Sequence, residues 1–177
     1  MVKMFHTGKM ASDQLDADIS NAVLAVDAPE GALLTLGDLA ADATYAADGK
    51  EYDVYSATAP VAITDDIVLL DLADVSHGEI AGNDYRMGIK LFDRTLTAGS
   101  IGRVRRPALH DKFWIGEGNF AATPTIGHYG IPTAGAFTLT DAAAQGDGFA
   151  VKILLSREFT AGMTANGNQY LCEVVGL

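Results

Sequence analysis

Phe149-Ala150-Val151-Lys152-Ile153-Leu154-Leu155-Ser156, reached through the turn Gln145-Gly146-Asp147-Gly148, is the stretch that decides the fold class. A short apolar run bounded by Gly and Asp reads as a β-strand. The closing run Gln169-Tyr170-Leu171-Cys172-Glu173-Val174-Val175 follows Asn166-Gly167-Asn168 in the same manner. Residues 136–140, 112–115 and 100–105 are runs of the same kind, and Pro107 makes the stretch between the last two an edge or a loop. Arg86-Met87-Gly88-Ile89-Lys90-Leu91-Phe92 alternates polar and apolar like a half-buried strand. Residues 61–64 and 67–70 read as strands flanking Asp65-Asp66. Residues 44–55 read as a strand-turn-strand, because Asp48-Gly49 suits a tight hairpin turn. Ala32-Leu33-Leu34-Thr35-Leu36 is a compact apolar run ended by Gly37-Asp38.

That pattern predicts about nine to eleven short strands with irregular turn spacing. It contains no βαβ rhythm and no fixed-period repeat. The expectation is a mainly β, single-domain barrel or sandwich over residues 31–177, preceded by an N-terminal arm over residues 1–30. Residues 1–10 are mildly basic, through Lys3 and Lys9. Residues 12–26 read in two ways. They suit a short helix capped by Ser12 or Asp13, with Leu15, Ile19, Val23 and Val26 near helical spacing, or an extended arm laid on a neighbour.

Composition sets further bounds. A chain of 177 residues buries roughly 70% of its unfolded surface and needs no disulfide or metal to fold. Cys172 is the single cysteine, and its apolar surroundings read as those of a small buried hydrophobe. Low aromatic content (8%) beside abundant Ala and Gly predicts a thin, sheet-based core. No run approaches the roughly 18 apolar residues of a membrane span, and no apolar segment after Lys3 and Lys9 suggests a secretory signal. The net charge of −11 argues against general nucleic-acid binding and for a soluble protein made in many copies.

The candidate chemistry is sparse. Asp13, Asp16 and Asp18 resemble a calcium loop, but counting from Asp16 the sixth position is Asn21 and the twelfth is Asp27, so the pattern fails. Asp71, Asp74, His77 and Glu79 form the densest group of potential metal ligands, without the spacing of a zinc site; a polar loop accounts for them. His6, His110 and His128 are dispersed, and His128 in Ile126-Gly127-His128-Tyr129-Gly130 reads as a hydrogen-bonded turn histidine. There is no Gly-x-Ser-x-Gly elbow, and Gly116-Glu117-Gly118-Asn119 is neither a phosphate-binding loop nor a dinucleotide fingerprint. The reading is therefore no enzyme, with no catalytic, cofactor-binding or metal-binding residues.

Two features suit docking instead. Arg103 and Arg105 fall on one side of a strand, with Arg106 beside them, either to pair with a partner's carboxylates or to charge a sheet edge against aggregation. Trp114, with Phe113 and Phe120 near it, is an interface anchor or a core residue.

Taken in order, the segments resemble the head decoration, or cement, proteins of tailed bacteriophages. The likeness rests on a short arm before Glu30-Gly31-Ala32-Leu33-Leu34-Thr35-Leu36-Gly37-Asp38-Leu39, on Val54-Tyr55-Ser56-Ala57-Thr58-Ala59-Pro60, and on Thr125-Ile126-Gly127-His128-Tyr129 followed by Gly135-Ala136-Phe137-Thr138-Leu139. It is completed by the pair Val151-Lys152-Ile153-Leu154 and residues 170–175. It covers most of the chain as a style of Gly-punctuated strands. The Arg103 to Arg106 group departs from it. The resemblance implies a virion protein, assembled in the host cytoplasm, that binds the major capsid protein as a homo-oligomer, with no nucleic acid, membrane or cofactor involved. Contact residues would be Lys3, Phe5 and Lys9 in the arm and Arg103, Arg105 and Arg106 at the basic edge. The alternatives are a tail or head-fibre component and a carbohydrate-binding β-sandwich, for which Trp114 with Tyr129 is the hint.

Overall fold

The computed structural model describes residues 5–10, 19–40, 54–72, 94–161 and 164–177. These residues form thirteen strands. In chain order they are β1 (Phe5–Lys9), β2 (Ile19–Leu24), β3 (Ala28–Pro29), β4 (Leu33–Leu39), β5 (Val54–Thr58), β6 (Ile67–Leu70) and β7 (Thr95–Leu96). Then come β8 (Ile101–Arg105), β9 (Lys112–Gly116), β10 (Tyr129–Pro132), β11 (Leu139–Ala142), β12 (Ala150–Ala161) and β13 (Thr164–Gly176). The fold is mainly β, as the turn-punctuated sequence predicts.

Barrel and sheet are both present. Strands β2-β5-β4-β6-β8 close a five-stranded barrel, and β1-β9-β13-β12-β10-β11 form a six-stranded sheet. A two-stranded ribbon, β3-β7, completes the set. The short strand β6 explains how the two large elements join. All four residues of Ile67-Val68-Leu69-Leu70 are buried. Successive side chains of a strand point to opposite faces, so such a run needs cover on both sides. Ile67 and Leu69, with Leu33 of β4, share one core with Phe113, Ile115, Val151, Ile153, Cys172 and Val174 of the six-stranded sheet. Val68 and Leu70, with Leu34, fill the barrel interior beside Ala22, Ala57 and Val104.

The barrel interior is narrow, because five strands enclose little volume. Ala22, Ala28, Ala32 and Ala57 line it, and all are buried. At Gly102 an added Cβ would lie 2.7 Å from the Cδ2 of Leu96, so any larger residue there would have to displace the Leu96 side chain.

Several expectations are corrected. Residues 19–24 form strand β2, not a helix, pairing parallel with β5 and antiparallel with β8 to close the barrel. Residues 5–9 pair with β9, and Phe5 packs 5.3 Å from Phe113 between ring centroids. Both described N-terminal strands are thus built into the sheets. Residues 61–64 turn instead of extending, because the Asp65 carboxylate accepts the backbone N–H groups of Val61 (2.7 Å) and Ala62 (2.9 Å). Those two N–H donors hold the Asp65 carboxyl below the usual range, Ala62 contributing most. Gly37-Asp38 does not end β4. The register shifts there, as at a β-bulge, and the Ser56 hydroxyl donates to the Asp38 carbonyl at 3.0 Å. Asn166-Gly167-Asn168 lies inside β13 and not at a turn, with Gly167 absorbing a φ of 119°. The Asp48-Gly49 turn and the strand over 86–92 lie outside the described residues.

Candidate functional site

The basic group stands on β8. It is no edge, because β8 is hydrogen-bonded to β2 on one side and β6 on the other. Arg103 and Arg105 do share a side, and both reach the same carboxylate. The Asp71 Oδ2 accepts from Arg103 Nη2 at 2.8 Å and from Arg105 Nε. Asp71 follows β6 directly, and its N–H donates to the Arg103 carbonyl at 2.9 Å. The aspartate and Arg105 are 7% and 8% exposed, so this is a buried ion pair that ties β6 to β8. Arg106 pairs with Asp66 at the surface. The three arginines each have a carboxylate partner within the chain, and the reading of a charged sheet edge is corrected because β8 is paired on both sides. Phe5 is likewise a core residue. Lys9 belongs to β1, opposite Lys112, and Lys3 lies outside the described residues.

Asp71 is thereby separated from the metal-ligand reading of Asp71, Asp74, His77 and Glu79; the last three lie outside the described residues. Among the described residues no group of three or more metal-ligating side chains comes together. His128 is a turn histidine, as its sequence context predicts, with Nδ1 3.1 Å from the Asp141 Oδ2. Cys172 is fully buried, and burial pushes its thiol pKa up, so it is inert rather than reactive.

The surface with docking chemistry is the solvent side of the six-stranded sheet. Register places its residues, because directly opposed residues share a face. Trp114 of β9 opposes Leu171 of β13, which opposes Leu155 of β12. This makes an apolar row across three strands, with Leu155 42% exposed. One row further on lie Lys112, Glu173, Lys152 and Tyr129, each opposed to the next. On the other flank Arg157 opposes Gln169, donates to its side-chain oxygen at 3.0 Å, and holds its guanidinium 3.9 Å from the centre of the Trp114 ring. A cation over an indole face is an attractive arrangement that also keeps both groups oriented.

The single carboxylate in these rows is already engaged. The Glu173 Oε1 is 3.2 Å from His110 Nδ1, and its Oε2 is 3.5 Å from Lys112 Nζ. The hydrogen bond from His110, ahead of the charge on Lys112, holds its carboxyl below the usual range.

Trp114, Phe113 and Phe120 lie close together in the sequence, and the fold separates them. Phe113 and Phe120 point into the core, while Trp114 points out, half-buried. Alternation along β9 carries that signal. Arg157, Leu155 and Leu171 were not legible as a site, because their meeting depends on the β12–β13 register and on the irregularity between Ile153 and Leu155. Comparison of the chain with family models, curated proteins and solved structures returns no match.

Proposed function

We propose that the protein is a non-catalytic virion building block, a capsid decoration protein that docks on the major capsid protein and stabilises the shell. One observation carries the docking part of this reading. A rigid sheet presents Trp114, held under Arg157, with Leu171 and the exposed Leu155 beside it. Tryptophan and arginine surrounded by apolar contacts are the chemistry of interface anchors. The assignment to a capsid rests on the sequence resemblance. Many copies acting together make modest single contacts strong, so stabilisation would come from multivalent binding to the shell. A tail or head-fibre position uses the same docking chemistry.

The test is co-sedimentation of the full chain with purified capsid shells. Saturable binding, with a raised shell melting temperature, supports the reading; a chain that ignores shells at low salt overturns it. The full chain is needed because deleting residues 1–10 would remove β1 and Phe5 from the sheet and its core. Tyr129 stands on the same face as Trp114, which gives the carbohydrate-binding alternative its observation. Arg157 covers the Trp114 ring that a sugar would stack on, which favours a protein partner.

A further inference from the structure

The charge distribution of this face constrains the chemistry of a partner. The chain carries a net charge of −11. The central rows of the sheet face reverse that sign, with Lys112, Lys152 and Arg157 around one carboxylate, Glu173, which His110 and Lys112 already hold. Glu158 follows Arg157 in β12 and so points to the opposite side of the strand. The cations lie on both flanks of the row Trp114-Leu171-Leu155. A second copy apposed through the same face about a two-fold axis parallel to that row would bring the lysine row onto Arg157, cation on cation. That arrangement is repulsive once desolvated. A partner with carboxylates on either side of an apolar side chain meets every feature of the face.

We propose that this face is the docking site for an extended acidic segment of a partner protein, with an apolar residue seated on Leu171 and Leu155 at the edge of Trp114. Its carboxylates pair with Lys152, Lys112 and Arg157. The inference rests on the docking role proposed above and adds the face and the partner's chemistry. Under the decoration reading, the segment belongs to the shell.

Trp114 is the single tryptophan, so its emission reports occupancy directly. The experiment titrates the full chain with a synthetic peptide of Glu residues around a central Leu, and with the same peptide carrying Lys for Glu. Expected is a saturable blue shift with the Glu peptide alone, weakened by salt. Arg157→Glu and Lys152→Glu, both at exposed positions, should each weaken it about tenfold or more while circular dichroism stays that of the wild type. No shift, an equal response to the Lys peptide, or unchanged affinity in both variants overturns the inference. Self-association of the wild-type chain that Arg157→Glu abolishes also overturns it, in favour of a second copy as occupant. So does a blue shift produced by neutral oligosaccharides in place of the peptide. The shell assay separates the two readings. Wild-type binding to shells that survives Arg157→Glu and Lys152→Glu refutes this face alone, whereas wild-type failure on shells with an intact peptide response refutes the decoration role alone.

Discussion

Leu70→Ala tests whether barrel and sheet form one cooperative unit. Leu70 is fully buried in the barrel interior, while its neighbour Leu69 faces the core shared with the six-stranded sheet. The substitution removes three carbon atoms, which at about 0.8 kcal/mol each accounts for roughly 2.4 kcal/mol. The cavity left in a close-packed interior raises this to about 3 kcal/mol. For 177 residues the unfolding entropy near the midpoint is on the order of 370 cal/mol/K, so Tm should fall by about 8 °C. The informative probe is Trp114, which stands on the far side of the sheet and outside the barrel cluster. Thermal unfolding followed by Trp114 emission and by far-ultraviolet circular dichroism should give coincident transitions, both lowered by that amount. Leu69→Ala should do the same. A Trp114 transition left at the wild-type midpoint, with an earlier separate loss of circular dichroism signal, would refute the argument that β6 welds the two cores together.

Asp71→Ala should cost about 3 kcal/mol, because it leaves the Arg105 charge buried without this carboxylate. Asp66→Ala should change stability by no more than about 1 kcal/mol, since Asp66 and Arg106 are solvent-exposed at 66% and 47% of their side chains; equal denaturation midpoints for the two variants would contradict the assignment. Gly148→Ala should destabilise strongly, because Gly148 has a φ of 96° and an added Cβ would lie 2.3 Å from the Ile63 carbonyl oxygen; a wild-type Tm for the variant would show that contact to be wrong. Cys172 should resist a thiol reagent in the native protein and react once urea unfolds it, so prompt native labelling would refute its burial. The Glu173 carboxyl is held below its ordinary value, so it contributes stability above about pH 4.3 that is lost as pH falls through the lowered folded-state value. The stability difference between wild type and Glu173→Gln should therefore be present at neutral pH and vanish in acid; a pH-independent difference would count against the His110 and Lys112 contacts.

Most of the strand content was legible wherever local signals agreed. The expected strands over residues 67–70, 100–105 and 112–115 are strands to within a residue at each end. Legibility failed where pairing partners lie far away in sequence. Ile19–Leu24 looks helical by spacing, yet β5 and β8 draw it into the barrel, because unpaired backbone groups there would otherwise be stranded. The Val61–Asp65 stretch reads as a strand by composition, but one carboxylate gathering two N–H groups makes it a turn. The basic group was visible as residue types, while its partner was not, since Asp71 lies 32 residues from Arg103.

The amino-acid sequence by itself determined the β class, the buried single cysteine and the acidic balance, because these follow from composition and from alternation along single strands. Only the tertiary structure decided that the β6 wall of a closed barrel packs against a six-stranded sheet, that Arg103 and Arg105 share the Asp71 carboxylate, and that Trp114 meets Arg157 on an outward face. Each of these depends on register between strands distant in the chain, and a shift of one residue in that register exchanges the buried and exposed faces of a strand.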